Sequence, residues 1–143
     1  MAEQESSRPA LSWQDEHAQR YIASAGEDGH IWNGVPTLLL TTTGRRSGEA
    51  RLSPLIYGQD GARYLVVASR GGAPEHPQWY RNLVANPDVQ VQVGADRFNA
   101  RARSATPAEK PALWQKMVGI WPAYADYQTK TTREIPVVIL ERH

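Results

Sequence analysis

The 143-residue chain has no cysteine, a single phenylalanine, and no long apolar run. The missing cysteines exclude a disulfide framework, thiolate zinc sites, iron–sulfur ligation and cysteine nucleophiles. The longest apolar stretches, Tyr64–Ala68 and Pro136–Leu140, fall far short of the ~20 residues of a membrane-spanning helix. Residues Met1–Ala10 are polar and no apolar signal core follows them, so a cytoplasmic location is expected. An excess of charge of either sign is lacking too: 16 Lys plus Arg face 15 Asp plus Glu, a formal net charge of +1. That balance argues against a basic nucleic-acid-binding arm or an acidic disordered tail, and no nucleic-acid partner is expected. What is present is 41% hydrophobic and 22% charged residues, enough for one packed core. The rings are mainly five Trp and six Tyr. Each carries a polar handle and suits a half-wet pocket.

The pattern predicts a helix over Ser12–Ser24, with Ser12 as N-cap, Asp15 and Glu16 in the first turn and Gly26 just beyond the end. A loop follows over Gly26–Gly34, then strands over Pro36–Thr43, Arg51–Tyr57 and Arg63–Ser69, separated by Gly44–Gly48 and Gln59–Gly61. These make two successive hairpins and an antiparallel meander. A helix over His76–Ala85 stops at Asn86-Pro87. Strands around Val89–Val93 and Arg97–Ser104 come next, then a helix from Pro107 towards Trp121 with Thr106 as cap. A Tyr-rich helix ending near Thr129 and a last strand over Ile135–Leu140 complete the chain. About six strands arranged in hairpins, with helices packed around them, predict an α+β fold built on a small antiparallel barrel. Two units are expected: a tail and short helix over residues 1–25, and a barrel over residues 26–143.

Three segments could carry chemistry. In Gly44–Arg51, Arg45, Arg46 and Arg51 face only Glu49, with Ser47 and two glycines between them. Guanidiniums and a glycine-bracketed turn suit phosphate or carboxylate oxygens, although arginines can equally guard a sheet edge. In Ala68–Pro74 and His76–Asn82 a strand ends, glycines follow and a helix starts with Trp79 and Tyr80. A planar heterocycle fits such a place, but so does a plain strand–helix joint packed by Trp79 and Leu83. Trp121, Tyr124 and Tyr127 recur every three residues, so on a helix they would wall a pocket or pack that helix onto the barrel. There is no Walker A loop, no dinucleotide-binding Gly-x-Gly-x-x-Gly after a strand, and no nucleophile elbow around Ser47 or Ser69. His17, His30, His76 and His143 lack metal-ligand spacing, so no metal is expected and each is read as a surface or loop residue.

Taken in order, Pro36–Gly48, Arg51–Leu55, Val67–Pro74, His76–Leu83, Asn86-Pro87, Trp121–Gln128 and Ile135-Pro136 resemble the deazaflavin-dependent nitroreductase family. The resemblance runs from about Gly34 to Glu141. It implies a split β-barrel that binds coenzyme F420, a 5-deazaflavin carrying a phosphate and an oligoglutamate tail. By that resemblance Arg45, Arg46, Ser47 and Arg51 would hold the phosphate and tail, and Ser53, Pro54, Leu55 and Ile56 would flank the ring. Ala68, Ser69 and Arg70 would meet the polar edge of the ring, and Trp79 and Asn82 would cover it from the helix. Ile56, Trp121, Tyr124 and Tyr127 would form the acceptor wall, with Ser69, Tyr124 and Tyr127 as catalytic candidates. Trp121 and Ile56 stand where the nitroimidazole-reducing member of the family has tyrosine, which removes phenolic donors.

The implied activity is hydride transfer from reduced F420 to a quinone, enone or nitroaromatic, the redox chemistry belonging to the cofactor. A non-catalytic F420 carrier and an FMN- or haem-binding barrel are the alternatives. For the N-terminal segment, folding over the pocket competes with a weak membrane contact through Trp13 and Tyr21. Asp15, Glu16, His17 and Arg20 deprive that segment of the basic bias of an interfacial helix. The oligomeric state and the physiological acceptor are left open by the sequence.

Overall fold

The computed structural model describes residues 13–143, with side chains from Glu16 onward. Ser12, the expected N-cap, and the side chains of Trp13 and Asp15 lie outside the described residues, as does the polar segment Met1–Ala10. Helix α1 spans Trp13–Ala23. Strands β1 (Ile31–Trp32), β2 (Val35–Thr43), β3 (Ala50–Ile56), β4 (Gly58–Asp60) and β5 (Arg63–Val67) follow. After a tight turn at Arg70–Gly72 come α2 (Gln78–Ala85), β6 (Asp88–Val93), β7 (Asp96–Ser104), α3 (Lys110–Ile120), α4 (Ala123–Thr129) and β8 (Val137–Arg142).

All strand pairs are antiparallel, in the order β1-β2-β6-β7-β8-β5-β4, with β3 also on β2. Residues 50–60 run as β3 along β2 and then, past Tyr57, as β4 along β5. One bent stretch of chain therefore stands against both ends of the sheet and curls it into a barrel. The expected meander is present, but its middle strand is split at Tyr57 between two partners rather than pairing with both along its length.

Among the described residues eight strands occur where about six were expected. Gly26–Gly34 is not all loop: β1 and β2 form a hairpin in which Trp32 pairs with Val35. Between them Asn33 and Gly34 have φ of 50° and 79°, the positive pair that a primed two-residue turn demands. Likewise Gln59 and Asp60 belong to β4, and the turn proper is Gly61-Ala62. Helix α3 starts three residues later than expected. Thr106 Oγ1 accepts from the Glu109 N–H at 3.2 Å and Glu109 Oε1 accepts from the Thr106 N–H at 2.9 Å. This reciprocal box closes a turn over Thr106–Glu109 before the helix proper.

The consecutive apolar residues of β2, β5 and β8 arise because these strands are covered on both faces. Leu38, Leu40, Val66, Val138 and Leu140 fill the barrel interior with Phe98, Val91 and the small Ala100 and Ala102. Leu65, Val67, Val137 and Ile139 point outward against Leu113 and Met117 of α3 and Tyr124 of α4. Leu39 meets Ala18 and Tyr21 of α1. Burying a side chain of this size contributes roughly 1.5–3 kcal/mol, so both layers are needed. Trp79 and Leu83 join the interior cluster, so α2 stoppers one end of the barrel.

Candidate active site

Two cavities meet at the end of the barrel stoppered by α2. The first encloses about 440 Å³ and gathers residues from seven places in the chain. Leu52–Ile56 of β3 form one side, and Val67, Ser69, Arg70 and Gly71 another. Pro77 and Trp79 close it from the start of α2, and Trp121, Tyr124 and Tyr127 from α4 and the link before it. The second encloses about 400 Å³ and is lined by Gly44, Arg45, Arg46, Ser47, Arg51, Gln78 and Asn82. Ser53 and Trp79 line both cavities, so an arginine chamber and an aromatic chamber share a wall.

The arginine chamber sits on the β2–β3 turn. Gly44 N–H donates to the Glu49 carbonyl at 2.7 Å and Gly48 N–H to the Gly44 carbonyl at 2.8 Å. This tight loop sends three guanidiniums out from a few residues of chain. Arg45 is half-buried and fixed by Asn82, whose Oδ1 accepts from the Arg45 N–H at 3.2 Å and from Nη1 at 3.0 Å. Asn82 Nδ2 donates in turn to Thr42 Oγ1 at 3.3 Å. Asn82 is 4% exposed, and its amide is spent largely on orienting Arg45. Arg46 and Arg51 are exposed, Arg51 lying 3.9 Å from Glu49. Ser47 Oγ accepts from the Glu49 N–H at 3.1 Å and so serves the turn itself.

In the aromatic chamber, Pro54 is tolerated within β3 because that strand has a partner on one side only. At the opposite side Ser69 is right-handed (φ −84°, ψ −38°) and Arg70 and Gly71 are left-handed, with φ of 46° and 63°. A right-handed residue followed by a left-handed one turns successive backbone N–H groups toward one point, a concavity suited to an anion or a carbonyl oxygen. Holding Arg70 there costs on the order of 1–2 kcal/mol. Gly72, with φ of 85°, lets α4 approach: a Cβ there would lie 2.6 Å from the Tyr127 carbonyl oxygen.

Tyr124 is 5% exposed, and burial, with Tyr127 adding to it, pushes its phenol well above the ordinary value of 10.0. It therefore stays protonated, and Tyr124 lines the cavity. Tyr127 Oη accepts from Trp121 Nε1 at 3.4 Å. Trp121 stacks at a tilt on Trp32, centroids 5.6 Å apart, and Tyr124 meets Tyr127 edge-on at 6.1 Å. The stripe expected every third residue both walls the cavity and packs α4 onto the barrel.

All but one of the expected site residues line one chamber or the other. Ala68 lines neither: it is fully buried, its N–H donates to the Pro136 carbonyl and its own carbonyl accepts from Arg133. Among the lining or supporting residues that were missed, three bear on the site's construction. Trp32 arrives on the unforeseen β1, and Asn33-Gly34 was its available signal. His17, read as a surface or loop residue, is instead a helix residue only 3% exposed. Its Nε2 lies 2.7 Å from the Gly29 carbonyl and its ring lines the aromatic chamber, brought in by Tyr21, whose hydroxyl donates to the Thr37 carbonyl at 3.0 Å. Arg133 braces the Ala68–Ala73 turn from behind and carried no signal in its neighbourhood. His30 and His76 are half-buried and hydrogen-bonded to Tyr57 and Arg133 respectively.

Residues 13–142 match the family model described as F420H2-dependent quinone reductase. An F420H2-dependent quinone reductase of Mycobacterium tuberculosis, Rv1261c, is 44% identical over 131 residues, covering 88% of this chain and 87% of the relative. A solved F420H2-dependent reductase, FDR-A, superposes with a TM-score of 0.69 at 46% identity, over 74% of this chain and 94% of that one. A structure described as a domain-swapped dimer reaches 0.72 at 42% identity, over 90% and 97%. The haem storage protein HutZ of Vibrio cholerae, at 20% identity and a TM-score of 0.56, shares the fold alone. With nearly the whole chain matched, this protein belongs to the F420H2-dependent quinone reductase family.

Proposed function

We propose that the chain is an F420H2-dependent quinone reductase in which the arginine chamber takes the phosphate and tail carboxylates and the aromatic chamber takes the ring and the acceptor. The observation that carries this reading is the shared wall of Ser53 and Trp79 between a cationic chamber and an aromatic one. The donor set fits the cofactor: three guanidiniums for a polyanion, a concave run of N–H groups for a heterocycle's carbonyl edge, and flat apolar walls for its faces. When bound, the reduced deazaflavin supplies a hydride to an electron-poor acceptor.

The protein's part is positioning. Arg45, held by Asn82, Arg46 and Arg51 anchor the anionic end, while Ser47 keeps their turn in shape. Ser53, Pro54, Leu55 and Ile56 support one face of the ring, with Trp79 at the junction. Ser69 and Arg70 offer N–H groups to the polar edge, and Ala68 acts only by anchoring that turn. Trp121, Tyr124, Tyr127 and Ile56 hold the acceptor and exclude water. Tyr124, a phenol kept neutral by burial, donates a hydrogen bond to the reduced acceptor oxygen as charge develops there, with Ser69 and Tyr127 supporting. No helix among the described residues is long and apolar enough to cross a membrane. Helix α1 spends Ala18 and Tyr21 on the barrel and acts as a roof rather than as a membrane anchor.

The test is titration with F420 followed by intrinsic tryptophan fluorescence, then an assay with F420H2 and menadione. Saturable quenching at micromolar F420 together with menadione-dependent oxidation is expected. Quenching without oxidation would instead select a carrier, and absence of quenching would remove the cofactor reading altogether.

A further inference from the structure

Arg133 lies in the link between α4 and β8, outside both chambers, yet its guanidinium is committed almost wholly to one wall of the aromatic chamber. Nε donates to the Ala73 carbonyl at 2.9 Å, Nη1 to the Ala68 carbonyl at 3.2 Å and Nη2 to the Ser69 carbonyl at 2.7 Å. Nη1 also donates to His76 Nδ1, 3.1 Å away. Three carbonyls of one short turn are thereby drawn to a single planar cation. Where carbonyls of a turn point one way, its N–H groups are left to point another, and Ser69, Arg70 and Gly71 line the cavity.

We propose that Arg133 is a positioning residue for the cofactor, holding the Ala68–Ala73 turn so that the N–H groups of Ser69, Arg70 and Gly71 present a fixed concavity to the ring's polar edge. This rests on the cofactor reading given above.

Charge and connectivity both support the role. No carboxylate pairs with Arg133 among the described residues, and its neighbour Glu134 turns to Lys110 at 3.4 Å. A half-buried cation without a counter-ion is an expensive brace if only a loop needs fixing. Its positive charge beside an N–H concavity is useful where an electron-rich edge must be received. Burial, together with the like charge of Arg70, lowers the Arg133 pKa somewhat, as expected of an unpaired cation. The same residue is tied through its main chain to the acceptor wall: Gln128 of α4 donates from Nε2 to the Arg133 carbonyl at 2.8 Å and accepts from the Ile135 N–H at 3.0 Å. Arg133 thus joins the helix carrying Tyr124 and Tyr127 to the turn carrying Ser69 and Arg70.

The contact with His76 supplies a readout independent of turnover. Burial first, then Arg133 and Arg81, hold His76 below the ordinary imidazole value. Tyr80 stacks on the ring at 4.7 Å, and Glu75 bridges Arg70 and Arg81 at 3.9 and 3.6 Å. Removing the guanidinium should raise the His76 pKa, whereas a loop merely loosened elsewhere would leave the Arg133 contribution in place.

The experiment compares wild type with Arg133→Gln and Arg133→Lys, the second keeping the charge but not the planar fork. Measured are F420 affinity by fluorescence, KM for F420H2 and for menadione separately, melting temperature, and His76 titration by NMR. In both variants the F420 Kd and the F420H2 KM should rise roughly tenfold or more, with the menadione KM changed less than twofold. His76 should titrate higher in Arg133→Gln, and methylguanidinium should restore part of its F420 affinity. A folded Arg133→Gln protein that binds F420 like wild type overturns the proposal. Should that variant fail to fold, an Arg133→Lys protein with wild-type F420 affinity does the same. A wild type that does not bind F420 at all overturns the cofactor reading and this role with it, a result distinguishable from the others.

Discussion

The two chambers are built in opposite ways. The arginine chamber draws its charge from seven consecutive positions, Arg45 to Arg51, on one hairpin turn, with Asn82 and Gln78 reaching in from α2. The aromatic chamber is assembled from α1, β1, β3, the Ser69–Gly71 turn, α2 and α4, and most of its walls also carry hydrophobic packing. Charge on a surface turn can be removed with little cost to folding. Rings that wall a pocket and hold a helix cannot. Affinity for the cofactor should therefore be separable from stability, whereas acceptor specificity should not be.

The largest expected effect tests the first half of that contrast. Arg45→Ala combined with Arg46→Ala removes two charge-assisted contacts worth about 1.5–3 kcal/mol each, a Kd increase for F420 of roughly 100-fold or more. Melting temperature should stay close to that of wild type. Equal losses of affinity and stability, read by fluorescence titration and calorimetry, would break the distinction.

Tyr124→Phe comes next. It keeps the ring and its packing and removes only the hydroxyl, so kcat with menadione should fall about tenfold to 100-fold while F420 Kd holds. Because the phenol titrates above its ordinary value, the wild-type pH–rate profile should show no alkaline loss from this group up to about pH 10. A descending limb that vanishes in Tyr124→Phe would contradict the assignment.

Gly72→Ala sharpens the second half. Its positive φ and the 2.6 Å approach to the Tyr127 carbonyl should cost about 1–3 kcal/mol of stability. By displacing α4 it should raise the menadione KM more than the F420H2 KM. Urea denaturation together with the two KM values measures both.

Smallest is Glu109, which lines neither chamber. Its hydrogen bonds with Arg103 and Thr106 hold its carboxyl far below the ordinary value of 4.5. A pKa depressed by folding stabilises the protein fully above that ordinary value, and the contribution is lost as the pH falls below it. Thermal melts at pH 7 and pH 4 should show a smaller acid destabilisation in Glu109→Gln than in wild type. F420 affinity at pH 7 should not change.

The same contrast explains what could be read from the sequence. Arg45, Arg46, Ser47 and Arg51 fall within seven positions, so the cluster stood out in the sequence, although its arginines could equally have guarded a sheet edge. The apolar runs of β2, β5 and β8 marked strands because both faces are covered. Trp121, Tyr124 and Tyr127 showed their shared face by spacing, but spacing could not separate walling a pocket from packing a helix, since they do both. The split at Tyr57 was illegible: it depends on β4 finding β5 rather than β2, a long-range choice with no local mark. His17 sits in an ordinary polar helix segment, and only the seating of Tyr21 against Thr37 turns it inward. Arg133 looked like one more charged residue in a loop, because its acceptors lie some sixty residues away. The hairpin at Asn33-Gly34 is different: an Asn-Gly pair is a local turn signal, legible without any long-range contact.

The bend at Tyr57 also limits how molecules get in and out. Where an ordinary barrel has a seam of hydrogen bonds that can unzip, here covalent chain crosses the gap, and the crossing point is held by a ring 8% exposed between His30 and Tyr64. Leu52–Ile56, just upstream, cannot swing aside without dragging both hairpins along. Any widening of the chamber falls instead to the elements resting on the barrel, α1 and α4, whose His17, Tyr124 and Tyr127 line it.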